Sequence, residues 1–171
     1  MSEAKTGDTF DGLVWRHVRK DAHPLHVGFI LLARGRWNRE GEYGCLYTSL
    51  TRAGVVAEYR KELARVSGVT PEDDQPKDLV SIFVLARHVL DLTQPAVRAQ
   101  FDVSLKLITS DRFDDLEACR SIADLARLQK YNAILSPSSA TDGGENLNLY
   151  IDGRAGDIRL VEGSDREPLN Y

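Results

Sequence analysis

The chain has 171 residues, of which 42% are hydrophobic and 28% charged; this is an ordinary globular composition, and the length suits one domain with its own core. The net charge of -4 argues against a general nucleic-acid binder, which usually carries a basic face or tail. No apolar run approaches the roughly 20 residues that span a bilayer, so we expect a cytoplasmic protein without a membrane segment.

The first part of the chain predicts two short strands. Residues 1–9 are polar and are expected to be flexible, whereas the apolar stretch 13–18 predicts a strand that carries Arg16. Glycine and charged residues at 40–44 predict a turn, and residues 45–48 predict a second short strand.

A helix is predicted directly after the second strand. Either Ser49 or Thr51 can cap its start, it runs to about Val66, and Gly68 ends it. Residues 79–92 are rich in β-branched side chains, which favours a strand, although the length of this stretch leaves a helix open.

The second part of the chain contains the most regular helical pattern, at 111–130, where apolar residues recur at helical spacing. Pro95 suits the first position of a short helix at 94–100. The other predicted elements are strands at 133–135, 147–151 and 158–161, turns at 152–153 and 155–156, and a polar tail at 164–171. We therefore predict a single α+β domain over residues 10–163.

Three side chains in the first part of the chain are candidates for a ligand site, and each also has a structural explanation. Arg16 is either a sheet-face arginine that reaches water or a guanidinium that grips a phosphate. Arg36, in Gly35-Arg36-Trp37-Asn38, belongs either to a structured turn or to a ligand-binding loop. Tyr47 is explained by β propensity alone, or it stacks on a flat ring or hydrogen-bonds a ribose.

Glu58 is the fourth candidate, and helical periodicity argues against it. Periodicity predicts a solvated Glu58, on the same flank as Glu62, and it leaves Arg60 unexplained inside the apolar stripe. The predicted stripe consists of Ala53, Val56, Ala57, Leu63 and Ala64. Glu58 can function only if its side of the helix lines a cleft.

Ser138 is the fifth candidate, and a turn in a serine-rich loop is its structural explanation. No G-x-S-x-G elbow surrounds it, which argues against an α/β-hydrolase nucleophile. The four histidines and the two cysteines, Cys45 and Cys119, lack metal-ligand spacing, so we expect no metal site and structural thiols. Gly143-Gly144 matches neither a Walker A nor a G-x-G-x-x-G pattern.

Taken in order, these segments resemble the RES domain, which is named for its arginine, glutamate and serine. The resemblance covers nearly the whole chain. Its motifs are Leu13-Val14-Trp15-Arg16, Pro24-Leu25 to Gly28, Gly35-Arg36-Trp37-Asn38, Gly41, Leu46-Tyr47-Thr48-Ser49, Ala57-Glu58-Tyr59, Pro137-Ser138, Gly143-Gly144 and Asn146-Leu147. Either Ser138 or Ser139 is the family serine; the preceding proline and the distance to Gly143 favour Ser138.

The resemblance implies an ADP-ribosyltransferase-like fold with a central NAD-binding cleft, and a toxin of a bacterial toxin–antitoxin pair neutralised by an Xre-like antitoxin. NAD is then the substrate, inorganic phosphate is a candidate co-substrate, and no metal is needed. On this basis Glu58 stabilises the ribose cation, Arg16 and Arg36 hold the pyrophosphate, Tyr47 contacts the nicotinamide riboside half, and Ser138 orients a ribose hydroxyl or the carboxamide.

The acceptor that completes the reaction is left open. Water gives an NAD glycohydrolase, phosphate gives an NAD phosphorylase, and a protein side chain gives a mono-ADP-ribosyltransferase. A non-catalytic NAD-binding or partner-binding module is the alternative from another class. The oligomeric state is also open, with a homodimer among the alternatives.

Overall fold

The structure, a computed structural model, describes residues 8–66, 68–151 and 157–170 and has mixed α and β elements in one domain. In chain order they are β1 (Asp8–Arg19), β2 (Leu46–Ser49), α1 (Arg52–Ala64), a 3-10 turn (Pro71–Asp73), β3 (Lys77–Asp91), α2 (Pro95–Gln100), α3 (Leu105–Thr109), α4 (Phe113–Leu128), β4 (Ala133–Pro137), β5 (Glu145–Leu149) and β6 (Ile158–Pro168). The prediction of an α+β domain is confirmed.

The strands form a closed ring. The order β1-β2-β5-β4-β3 is completed by a long antiparallel pairing of β3 with β1, from Asp8↔Val89 to Arg19↔Lys77. Strand β6 pairs with the first part of β3 on its other edge, and β4 pairs in parallel with the end of β3. The ring leaves β1 and β2 joined at a single register position, Trp15↔Ser49, so they diverge on either side of it.

Three apolar clusters hold the elements together. One lies among the ring strands around Val14, Ile82 and Leu147, which are fully buried because facing strands cover them. A second packs α4 against β4 and contains Trp37 and both cysteines, as expected for structural thiols. The third joins α1 to the sheet through Trp15, Val55, Tyr59, Leu79 and Leu169.

Most predicted elements are confirmed, but the two ends are not. Residues 79–92, for which both a helix and a strand were open, belong to strand β3. Of the two candidate caps of α1, Thr51 is the one used, and it accepts a hydrogen bond from the Gly54 amide at 3.0 Å. The prediction of a flexible segment at 1–9 is wrong at its last two residues, because β1 begins at Asp8. Residues 1–7 lie outside the described residues.

The polar tail predicted at 164–171 is also wrong. Strand β6 runs on to Pro168, and Leu169 is buried in the α1 cluster. The polar side chains beyond residue 161 concealed the continuation of the strand predicted at 158–161, since one face of β6 meets solvent. The turns predicted at 152–153 and 155–156 and the last residue, Tyr171, fall outside the described residues. Helix α3, which no prediction included, is short and follows a Ser104 cap.

Among the residues described, no helix is long and apolar enough to cross a membrane.

Candidate functional site

A cleft of about 960 Å³ opens where β1 and β2 diverge. Its walls come from β1, the loop at 22–37, β2, α1, the start of α4 and the ends of β4 and β5. Its charged lining consists of Arg16, Arg19, Arg34, Arg36, Lys61, Arg65, Lys77 and Arg120 against Glu58 and Glu62. The cleft is therefore strongly basic although the protein as a whole is acidic, which favours an anionic ligand.

Helix α1 presents Glu58 to this cleft. Its buried face is formed by Val55 and Tyr59, which pack on the sheet, and Glu58 lies on the flank between that face and solvent. The predicted stripe is confirmed at Val56 and Leu63, which pack on this cluster, and is wrong at Ala53 and Ala64, which are exposed. Arg60 is exposed as well, so it does not lie inside an apolar face. Polar and apolar residues alternate around α1, so periodicity alone could not identify the face that packs.

Two side chains hold one oxygen of the Glu58 carboxylate. Ser138 Oγ donates to Glu58 Oε1 at 2.7 Å, and Asn146 Nδ2 donates to the same oxygen at 2.6 Å. Ser49 Oγ in turn donates to Asn146 Oδ1 at 2.6 Å, which fixes the orientation of the Asn146 amide. Both bonds fall on Oε1, and no hydrogen bond from another described residue reaches Oε2, so this second oxygen can serve a group in the cleft.

Ser138 rather than Ser139 is the serine that contacts Glu58. Its hydroxyl also accepts hydrogen bonds from the amides of Ala140 and Thr141, at 3.0 and 3.2 Å. These two donors direct the hydroxyl proton towards Glu58. Ser139 contributes its carbonyl oxygen, which accepts a hydrogen bond from Lys61 Nζ at 2.6 Å.

Asn146 is the residue of this network whose role the sequence reasoning missed. It is paired in register with Ser49 on β2 and with Ser136 on β4, at the cleft end of β5. The alternation of Asn146 and Asn148 with buried leucines was the available signal, since it places both amides on one face of the strand.

The turn Gly35-Arg36-Trp37-Asn38 is fastened on several sides. Trp37 is buried, its amide donates to Tyr47 Oη at 2.8 Å, and its carbonyl oxygen accepts from Tyr150 Oη at 3.0 Å. Asn38 is fully buried and donates to the Ala33 carbonyl oxygen at 2.6 Å. The tetrapeptide is thus a structured turn, and it also delivers Arg36 to the cleft, so its two interpretations are compatible.

Arg36 is held at the cleft wall by groups that precede α4. Its Nη1 donates to the Ser110 carbonyl oxygen at 2.5 Å, and its Nη2 pairs with Asp111 Oδ1 at 2.9 Å. The side chain is only 12% exposed, so its direction is fixed. Arg120 strengthens the same wall by donating to the Gly35 carbonyl oxygen at 3.1 Å.

Tyr47 lines the cleft and packs against the core cluster of Trp37, and its hydroxyl is engaged by the protein. Besides accepting from the Trp37 amide, the hydroxyl donates to Asn38 Oδ1 at 2.8 Å. Burial raises the pKa of Tyr47 well above its usual value, so the hydroxyl remains a donor. Its ring is therefore the part available to a ligand, and its hydroxyl positions the turn that carries Arg36.

Arg16 has different partners from those of Arg36. Its Nη1 donates to the carbonyl oxygens of His26 and Pro24 at 3.0 and 3.3 Å, which shapes the loop at 22–37. Burial lowers the pKa of Arg16 to about 10, so the guanidinium still carries its charge at neutral pH. Arg16 forms no ion pair in the described part of the chain, so its charge is not compensated by a carboxylate.

A comparison of the sequence with family profiles matches the RES domain over residues 13–170. The chain belongs to the RES domain family. This match runs seven residues past the predicted domain end at 163, in agreement with the course of β6. No curated protein matches the sequence.

The RES fold is also found in a solved structure. A chain of the crystal structure of the M. tuberculosis MbcT-MbcA toxin–antitoxin complex superposes with a TM-score of 0.75 at 18% identity, covering 94% of this chain and 88% of that one. At that identity the likeness is one of fold.

His17 lies beside the cleft of this RES protein as a neutral imidazole. Burial, followed by the charges of Lys77 and Arg16, lowers the pKa of His17 to about 4, and Asp74 opposes this shift. Its Nε2 lies 3.8 Å from Glu62 Oε2, and its ring packs on Tyr59 with centroids 5.1 Å apart. Among the described residues, no group of three or more potential ligand side chains could hold a metal ion.

We expect the stability of the protein to fall as pH decreases from about 6.5 to about 4. In that window the unfolded chain binds a proton at His17 and the folded chain does not, so acid favours unfolding by up to about 1.4 kcal/mol per pH unit. Denaturant unfolding of wild type and His17→Gln across this range measures it. His17→Gln should lose much of the slope of the unfolding free energy against pH. His26 is exposed, and His26→Gln should keep that slope. Equal slopes in all three proteins would contradict the assignment to His17.

Proposed function

We propose that this RES protein cleaves the nicotinamide–ribose bond of NAD. The observation that carries the proposal is the Glu58 carboxylate, anchored through Oε1 by Ser138 and Asn146, in a cleft whose other charged lining residues are mostly cationic. A dinucleotide offers the matching groups, since it combines a pyrophosphate with a glycosidic bond that breaks through a ribose cation.

Glu58 is suited to stabilise that cation. When the glycosidic bond breaks, its electron pair leaves with the nicotinamide nitrogen, nicotinamide departs neutral, and positive charge develops on the ribose ring. An acceptor oxygen then bonds to the anomeric carbon and, if it came from water or a hydroxyl, releases a proton. A carboxylate with one oxygen fixed and the other facing the cleft is preorganised for the charged stage.

The cleft walls supply plausible partners for the rest of the dinucleotide. Arg36 is nearly buried and fixed in direction, so it can grip the pyrophosphate without reorganising. Arg16 offers an uncompensated charge at the β1 wall for the same group. The Tyr47 ring can stack on the nicotinamide riboside half, and Ser138 acts through Glu58 as a positioning residue.

The biological role that follows is that of a toxin in a bacterial toxin–antitoxin pair. The family membership and the fold shared with a chain of a toxin–antitoxin complex support this role. An Xre-like antitoxin is then the partner, as the family resemblance implies, and the core is of the ADP-ribosyltransferase type.

Product analysis of NAD digests tests the activity. Purified protein should release nicotinamide, and comparison of the second product with and without phosphate separates phosphorolysis from hydrolysis. Labelled NAD that marks a protein band while free turnover stays slow would instead favour mono-ADP-ribosyl transfer. NAD that binds and stays intact in every condition would leave a binding module and refute the proposal.

Replacing Ser138 by Ala is expected to lower the rate of NAD cleavage by about 10- to 100-fold. The variant removes one of the two hydrogen bonds to Glu58 Oε1, and a hydrogen bond to a charged group contributes roughly 1.5–3 kcal/mol. Steady-state kinetics measure this as a loss in kcat. Ser139→Ala is the matched control, because the hydrogen bond of Ser139 to Lys61 uses the backbone carbonyl oxygen, and within the described ranges its hydroxyl makes none. An equal loss in both variants would refute the role of Ser138.

A further inference from the structure

Three cations of the cleft wall share a single carboxylate. Arg36 Nη2 and Arg65 Nη2 contact Asp111 Oδ1 at 2.9 and 2.5 Å, and Lys61 Nζ contacts Asp111 Oδ2 at 2.8 Å. The cluster of these four residues therefore carries two uncompensated positive charges. The cations lower the pKa of Asp111, although its partial burial works against them.

The cations and the carboxylate face different sides. Arg36, Lys61 and Arg65 all line the cleft, whereas Asp111 does not. Arg36 and Lys61 are 12% and 22% exposed, so much of their hydration has been lost. Three cations brought together, two of them largely buried, repel one another, and an anion on the cleft side would relieve that repulsion.

We infer that Lys61 and Arg65, together with Arg36, form a subsite of the cleft that binds a phosphate group, with Asp111 holding the three cations from behind. A merely structural link between α1 and the loop before α4 needs one ion pair, and Arg65 or Lys61 alone would supply it. The inference rests on the proposed function for the identity of the ligand, but the subsite itself rests on the cluster.

The position of the subsite along α1 agrees with a phosphate joined to the reacting ribose. Lys61 and Arg65 follow Glu58 by three and seven residues on the same flank of the helix. At 1.5 Å per residue, the two cations lie roughly 5 and 10 Å beyond Glu58 along the axis. A ribose bound at Glu58 would direct its 5′-phosphate along this row of side chains.

The test compares ligands with and without phosphate. Binding of ADP-ribose, inorganic phosphate and nicotinamide riboside is measured by calorimetry for wild type, Lys61→Gln and Arg65→Gln. We expect each variant to weaken ADP-ribose binding at least about tenfold and to leave nicotinamide riboside unchanged. Arg60→Gln is the matched control, since Arg60 is an exposed cation on the same helix outside the cleft.

The phosphate arm identifies the source of the bound group. If inorganic phosphate competes with ADP-ribose, the cluster holds a phosphate of the nucleotide. If both ligands bind together, and the variants lose phosphate binding but not ADP-ribose binding, the cluster holds free phosphate. ADP-ribose and phosphate binding that are as strong in both variants as in Arg60→Gln would overturn the subsite.

Failure of the subsite and failure of the proposed function give different results. Intact NAD with ADP-ribose binding that depends on Lys61 and Arg65 would refute the function and retain the subsite. NAD cleavage by the wild type, together with ADP-ribose and phosphate binding that Lys61→Gln and Arg65→Gln leave unchanged, would retain the function and refute the subsite. Arg65 is half exposed, so Arg65→Gln is expected to fold even if Lys61→Gln does not.

Discussion

The Glu58→Gln variant is expected to release nicotinamide from NAD about 10²- to 10³-fold more slowly than wild type, while its unfolding temperature stays nearly unchanged. Glutamine has the same shape and keeps an oxygen that can accept from Ser138 and Asn146, so the local structure is retained. It lacks the charge that stabilises the ribose cation, and loss of one preorganised electrostatic group typically costs this much in kcat.

Glu62→Gln is the matched control for this experiment. Glu62 lies one turn further along α1, lines the same cleft and has its pKa raised by burial, yet Glu58 alone is anchored by Ser138 and Asn146. Single-turnover measurements should therefore separate the two variants clearly. A Glu58→Gln protein that is folded and keeps wild-type turnover would remove Glu58 from the mechanism.

The Gly35→Ala variant is expected to lose about 1–3 kcal/mol of stability and to cleave NAD roughly 10²-fold more slowly. A Cβ at Gly35 would collide with the Tyr47 hydroxyl and with Asn38 Oδ1, the two groups that hydrogen-bond to each other inside the turn. Separating them displaces the turn and with it Arg36.

Gly12→Ala provides the comparison for Gly35→Ala. A Cβ at Gly12 meets the Phe10 ring at 3.4 Å, an ordinary contact, so the free energy of unfolding and the turnover should both change little. Denaturant unfolding and steady-state kinetics measure the two effects separately. Unchanged stability and unchanged turnover in Gly35→Ala would show that the turn has room that the structure does not suggest.

The order of elements could be predicted from sequence where local signals agree. Helix α4 has a regular apolar spacing, Pro95 begins α2, and Thr51 caps α1, so these elements were located to within two or three residues. Local signals located the start of β6 but missed its continuation to Pro168, because the later residues are mostly polar and the partner β3 lies far away in sequence.

The candidate site was predictable as a set of residues but not as a set of contacts. The family resemblance selected Arg16, Arg36, Tyr47, Glu58 and Ser138, whereas periodicity placed Glu58 in solvent. The anchoring of Glu58 by Asn146 and the sharing of Asp111 by three cations depend on how distant segments pack. Local patterns can place a polar side chain on one face of a strand, as at Asn146, but they do not identify the distant group that it contacts.

The hydrogen bonds of Glu58 have a consequence for the synthesis of the protein. Its two partners lie 80 and 88 positions further along the chain, so no fragment that ends before Asn146 contains the anchored carboxylate. Contacts this distant in sequence form late, because a long loop must close before they contribute. A nascent chain on the ribosome therefore carries Glu58 through at least 88 further residues of elongation without the geometry that the proposed chemistry requires.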